Sequence, residues 1–173
     1  MSQGPSSPAA ASPAAPSSAP AAAAPPRWLD EREQGVWRSY LEGTQRLWEH
    51  LDDVLAAQGD VPLHEYDVLV HLSEAPEGAL RMSELARLLV HSRSRLTHAV
   101  GRMEARGLVE RRACPDDGRG VLCAVTPEGL AALDRNAPAH VASVRAALVD
   151  LLEPGELDVL GAAMEKVAAH LRR

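Results

Sequence analysis

Trp37, Tyr40, Leu41, Thr44, Leu47, Trp48, Leu51, Val54 and Leu55 recur at three- and four-residue steps, with acids and Arg between them. That period predicts an amphipathic helix from Trp28 onward, stopped by Gln58-Gly59-Asp60. Pro62 opens a second helix over roughly 63–74, and Ala75-Pro76-Glu77-Gly78 ends it. A short extended piece over 79–82 leads to Ser83, the expected N-cap of a helix over about 84–90 with Leu85, Leu88 and Leu89 inward. After a tight turn at His91-Ser92-Arg93, a helix over about 94–106 carries Leu96, Val100 and Met103 on one stripe, and Gly107 closes it. The period then shifts to two: 108–113 and 120–125 alternate as strands about a turn at Asp116-Asp117-Gly118. Thr126-Pro127-Glu128 starts a helix to about 151, with Leu130, Leu133, Val141, Val144, Leu148 and Leu151 inward and a kink at Pro138. Glu153-Pro154-Gly155-Glu156 restarts the chain. Leu157, Leu160, Met164, Val167 and Leu171 then step 3-4-3-4, the narrow seam of a helix lying on another helix.

Helix, tight turn, helix and two-stranded hairpin in that order predict a mainly α fold with a small β wing, a winged helix-turn-helix centred on residues 82–126. The expected organisation is a single domain over 27–173, with the winged lobe at 62–126 and dimerisation helices at 27–58 and 127–173. Residues 1–26 are almost wholly Ala, Pro, Ser and Gly. They have too little bulk for a core and too much proline for a helix, so a disordered tail is expected there. Residues with AT-rich codons are scarce: there is no Phe, and Lys166 is the lone lysine against many Arg. That points to a GC-rich bacterial genome. No apolar run reaches the ~18 residues of a membrane span, no secretory signal is evident, and Cys114 and Cys123 make no secreted disulfide framework. A cytoplasmic protein is expected.

Charge distribution changes the picture. The chain carries a formal net charge of -6, yet nine Arg stand against five acids between Arg81 and Arg119. A basic segment inside an acidic protein is an electrostatic footprint for a polyanion. A helix that reads the major groove needs one packed face and one face able to donate hydrogen bonds. Over 94–106 the packed side is Leu96, Ala99, Val100 and Met103; the other offers Ser94, Arg95, Thr97, His98, Gly101, Arg102 and Arg106. Double-stranded DNA is therefore the expected partner, with Ser92 in the turn joining that face. Arg119 beside the hairpin tip is placed to enter a minor groove, whose negative potential attracts Arg. Asp117 is placed either to fix Arg119 or to pair with an Arg of the helix-turn-helix, and Arg111 and Arg112 are expected phosphate contacts.

The segments Leu80-Arg81-Met82-Ser83-Glu84-Leu85-Ala86, Ser92-Arg93-Ser94-Arg95-Leu96-Thr97, Val100-Gly101-Arg102-Met103-Glu104-Ala105-Arg106-Gly107-Leu108-Val109 and Asp116-Asp117-Gly118-Arg119-Gly120, with Thr126-Pro127-Glu128-Gly129 after them, resemble the MarR family of bacterial regulators over roughly residues 36–171. The resemblance implies a homodimer built from first, fifth and sixth helices that reads a pseudo-palindromic operator. It further implies Asp117 and Arg119 as the wing motif, and a repressor released by a small, often aromatic, ligand. The chain departs from the family where Pro62-Leu63 replaces a Leu-Thr cap and Gly118 replaces the commoner Arg. Ala99 stands where urate-responsive members carry Arg, which speaks against a urate response.

Trp37, His64, Tyr66 and Asp67, near the junction of the first two helices, are the candidate effector-binding residues. Leu157, Leu160, Met164, Val167 and Leu171 are the candidate dimer seam. Two rival readings remain: a redox sensor using Cys114 and Cys123 on the wing strands, and a dimeric helical adaptor without DNA binding. A phosphate-binding glycine loop, a serine nucleophile elbow and an HExxH motif are all missing, and the seven His are scattered. No catalysis, metal or cofactor is expected.

Overall fold

The computed structural model describes residues 26–59, 61–89, 93–114 and 117–172, and for Arg93 and residues 117–119 the backbone only. The expected tail lies outside the described residues except for Pro26.

Helix α1 (Glu31–Gln58) starts three residues later than its apolar pattern suggests, because Asp30 caps it. The Asp30 carboxylate accepts the Glu33 N–H at 2.7 Å, and the Glu33 carboxylate accepts the Asp30 N–H at 3.0 Å. This reciprocal box satisfies two donors that a bare helix end would strand. Helix α2 (Leu63–Ser73) has Pro62 at its N-cap, which offers no side-chain acceptor. Asp52 of α1 supplies one instead, accepting the Leu63 N–H at 2.9 Å, so the cap also ties α1 to α2.

A 3-10 turn at Pro76–Gly78 leads into strand β1 (Ala79–Arg81) and helix α3 (Met82–Leu88). Ser83 is not the cap expected of it. Arg81, still paired as a strand residue opposite Leu122, holds the N-cap position, so strand pairing fixes where α3 begins. Helix α4 (Arg93–Ala105) ends on Gly107 at φ 73, with Gly107 N–H donating to the Glu104 carbonyl at 2.9 Å and Leu108 N–H to that of Met103 at 3.0 Å. Both bonds belong to the glycine-closed C-terminus read from the sequence.

Strands β2 (Val109–Cys114) and β3 (Asp117–Val125) form the hairpin, and β1 pairs on the far side of β3, giving an antiparallel sheet in the order β1-β3-β2. The register runs Val109 opposite Val125 and Arg111 opposite Cys123, then shifts after Ala113 to set Cys114 opposite Asp117. The strand pairing thus reaches Asp117 and Gly118, which the sequence pattern assigns to the turn. A register irregularity of this kind is invisible to a strict period-two reading.

Helix α5 (Pro127–Val144) starts at Thr126, whose hydroxyl accepts the Gly129 N–H at 3.0 Å and donates to the Gly107 carbonyl at 2.6 Å. It continues through Pro138; the departure from α geometry comes later, in a π turn over Arg145–Val149. Helix α6 (Pro154–Leu171) follows. The core gathers α2, α3, α4, the sheet and the end of α1: Leu51, Leu55, Leu69, Leu72, Leu85, Leu96, Val100, Met103, Val109 and Cys123 are all buried in it. Leu88, Leu130, Val141 and Leu151, expected inward, are exposed, and α6 buries no residue. Among the described residues no helix is long and apolar enough to cross a membrane.

Gly129 sits where the hairpin's exit meets α5. A Cβ there would stand 2.1 Å from the Leu108 carbonyl oxygen and 2.9 Å from Val125 Cγ2. Because the nearer neighbour is backbone, Gly129→Ala should destabilise the fold by roughly 1–3 kcal/mol. An unchanged urea unfolding midpoint would show that this junction is looser than described.

Candidate nucleic-acid interface

Helix α4 separates its faces as groove reading requires. Leu96, Ala99, Val100 and Met103 are buried, while Ser94, Arg95, Thr97, His98 and Arg102 are exposed. No acid occurs in its first turn, where an approaching phosphate would be repelled. Arg95, His98, Ala99 and Arg102 line a cleft of about 440 Å3 with His64 of α2. Ser92 lies outside the described residues.

Arg102 and Arg106 are not simply outward cations. Both meet Glu65 of α2, a residue the sequence reading passes over and the structure buries at 2 % exposure. Arg106 Nη1 donates to Glu65 Oε2 at 2.7 Å, and Arg102 Nε lies 3.4 Å from Oε1. Arg102 Nη2 also lies 3.1 Å from His64 Nε2. The signal was available: Glu65 precedes Leu69 and Leu72 by four and seven residues, on the buried stripe of its helix.

On the wing, Arg111 grips Glu104 of α4 through Nε at 2.9 Å and Nη2 at 2.6 Å, and its backbone N–H donates to the same carboxylate at 3.1 Å. The hydrogen bonds from Arg111 lower the Glu104 pKa, and Glu104 raises that of Arg111. Arg112 pairs with Glu110. The two expected phosphate contacts are thus each engaged with a carboxylate, though such exposed pairs are weak enough for a phosphate to compete. The side chains of Asp117 and Arg119 fall outside the described residues. Cys114 and Cys123 are free thiols, both buried. They sit opposite Asp117 and Arg111 respectively, not opposite each other. Burial, with Glu104 adding to it and Arg111 opposing, pushes the Cys123 thiol up to about 12.

The four candidate effector residues do not share one pocket. Trp37 stacks on Tyr40 with ring centroids 5.8 Å apart and lines a groove of about 640 Å3 between α1 and α6, beside Val36, Met164, Val167 and Leu171. Tyr66 is buried with its ring 4.6 Å from that of His140 on α5. Desolvation raises the Tyr66 pKa and lowers that of His140, the latter against the pull of Asp67. His64 and Asp67 instead line a cleft of about 670 Å3 with Trp48, Glu49, Asp52, Leu63, Leu88 and Leu89. The aromatic residue beside them is Trp48, eleven residues beyond Trp37. Of the expected seam, Leu157, Leu160 and Met164 are half-buried, while Val167 and Leu171 are exposed. Among the described residues no group of His, Cys, Asp and Glu could hold a metal ion.

The MarR family model matches residues 59–120. No curated protein matches the chain. A MarR family transcriptional regulator from Streptomyces coelicolor, solved in complex with DNA, is 46% identical with a TM-score of 0.82, the match covering 86% of this chain and 93% of that one. AbsC, a MarR family transcriptional regulator from the same organism, is 41% identical with a TM-score of 0.80, over 85% of this chain and 99% of that one. A cysteine-to-serine mutant of MarR from E. coli, complexed with operator DNA, shares the fold at a TM-score of 0.69 and 23% identity, over 80% of this chain and 99% of that one. With the winged arrangement in place and two relatives this similar over nearly their whole length, the chain belongs to the MarR family of transcriptional regulators.

Proposed function

We propose that the protein is a sequence-specific DNA-binding regulator that acts as a homodimer on a pseudo-palindromic operator. The observation that carries this reading is the two-faced α4, with Leu96, Ala99, Val100 and Met103 locked into the core and Ser94, Arg95, Thr97 and His98 exposed on the opposite side. In this reading α4 lies in the major groove. The β2–β3 hairpin reaches the flanking backbone, with Arg119 as its minor-groove residue and Asp117 as support. The relative solved with DNA supports the same assignment.

The dimer rests on surface that one chain leaves bare. Val36, Trp37, Tyr40 and Leu41 of α1 and Val159, Val167 and Leu171 of α6 are exposed apolar residues on neighbouring helices. A contiguous apolar groove of this kind marks an interaction site, and a two-fold interface would let the same groove on a second chain cover it. Two α4 helices would then sit about one helical turn apart, roughly 34 Å. A small aromatic effector, and repression that it relieves, fit the cleft beside His64, Asp67 and Trp48 at the base of the lobe. The redox alternative loses support because Cys114 and Cys123 are buried and do not face each other.

Selection from a randomised duplex library tests the reading: it should enrich a two-fold symmetric site, and failure to enrich any sequence would overturn it. On the selected duplex, Arg95→Ala should cost about 1–3 kcal/mol and relax one position in each half-site; unchanged affinity and preference would remove Arg95 from the reading face. Leu160→Glu and Val167→Glu should give monomers or insoluble protein in sedimentation, so a folded dimer at wild-type strength would disprove the seam. With its pKa near 12, Cys123 is a neutral thiol at pH 8. Alkylation there should label it only after unfolding, and fast labelling of the native protein would restore the redox reading.

A further inference from the structure

We propose that Glu65 is a positioning residue that divides the arginines of the recognition helix into anchors and readers. It holds Arg102 and Arg106 against the scaffold and leaves base reading to the N-terminal half of α4, around Ser94, Arg95, Thr97 and His98. The proposal rests on the reading of α4 as the groove helix.

Each carboxylate oxygen of Glu65 has its own guanidinium: Oε2 takes Arg106 Nη1 at 2.7 Å, and Oε1 takes Arg102 Nε at 3.4 Å. The carboxylate is 2 % exposed, whereas the side chains of Arg102 and Arg106 are 57% and 42% exposed. A carboxylate so enclosed demands paired cations, because water cannot replace them. A guanidinium has donors only, so the 3.1 Å approach of Arg102 Nη2 to His64 Nε2 makes that nitrogen the acceptor. Arg102 is therefore gripped by two consecutive residues of α2. The pairing fixes the last turn of α4 and the residue just past its end on the scaffold, and so sets the angle at which its first turns project. Groove helices read bases chiefly with their N-terminal residues.

The same pairing limits the charge delivered to DNA. Only a cation that neutralises phosphate releases counterions, and the salt dependence of binding counts those cations. An arginine committed to Glu65 is missing from that count.

The test uses the full-length protein with a random-sequence duplex and with the selected duplex, titrated at several salt concentrations. Glu65→Gln keeps shape and an acceptor oxygen while removing the charge. It should steepen the slope of log affinity against log salt by about 0.9 for each arginine released to phosphate. Affinity for the random duplex should rise, and the selected-to-random ratio should fall. Glu65→Asp should keep the wild-type slope. Arg102→Gln alone should leave the slope unchanged, and adding it to Glu65→Gln should lower the steepened slope again. Loss of packing alone would weaken binding without moving the slope. An unmoved slope in Glu65→Gln, or a slope flattened by about 0.9 in Arg102→Gln, overturns the proposal. If Glu65→Gln does not fold, the Arg102→Gln slope decides by itself. A wild-type protein that binds neither duplex refutes the DNA reading and the Glu65 role together; a binding wild type with an unmoved slope refutes Glu65 alone.

Discussion

A carboxylate taken out of water costs several kcal/mol unless cations and donors replace its hydration, and Glu65 meets that demand only because α4 brings Arg102 and Arg106 to it. Helices α2 and α4 are therefore held by more than the apolar contacts of Leu69, Leu72, Val100 and Met103. Apolar packing is tolerant of small rotations, whereas two guanidinium groups on one enclosed carboxylate define the azimuth of a helix. The outward presentation of Ser94, Arg95, Thr97 and His98 depends on that azimuth. So does the placement of Glu104, whose partner Arg111 ties α4 to the first wing strand. Ion pairs thus tie α4 to α2 through Glu65 and to the hairpin through Arg111.

The second constraint is a shortage of covering surface. The core of α2, α3, α4 and the sheet is closed by the end of α1 and by Ala132 of α5, but the rest of α1 and α6 reach beyond it with apolar residues on show. Half of Trp37 and Trp48 is accessible in the single chain. These two tryptophans share one helix but serve opposite ends of the molecule: one borders the α1–α6 groove, the other the cleft beside α2 and α3. Eleven residues of helix separate them by about 16 Å, so only one of them can border the cleft of His64 and Asp67, and it is Trp48, the nearer of the two in sequence.

The helical periods and the period-two strands carried most of the architecture, and the packed face of α4 matches the stripe read from Leu96, Ala99, Val100 and Met103. Most of what sequence reasoning missed depends on contacts with another element, through side chains or backbone pairing. Asp52 caps α2 from α1, where local sequence offers only Pro62. Pairing of Arg81 with Leu122, and not the nearby Ser83, marks the start of α3. The irregularity after Ala113 moves strand pairing into the expected turn. Glu65 was passed over because a charged residue inside an apolar stripe is read by default as surface. Leu130, Val141 and Leu151 were assigned inward because periodicity identifies an apolar face without saying which chain covers it.

Thr126 joins three things at one point: the closing turn of α4 through the Gly107 carbonyl, the exit of β3, and the first turn of α5 through the Gly129 N–H. The close fit of Gly129 beneath Leu108 leaves no slack there. Mechanically, α5 is a lever clamped to the base of the α4–hairpin lobe. An 18-residue helix is about 27 Å long, so a tilt of only ~5° about its far end swings the clamped end by about 2 Å. That displacement is several times the ~0.5 Å range of hydrogen-bond lengths, enough to take an α4 side chain out of reach of a bonded partner without unfolding anything along the way.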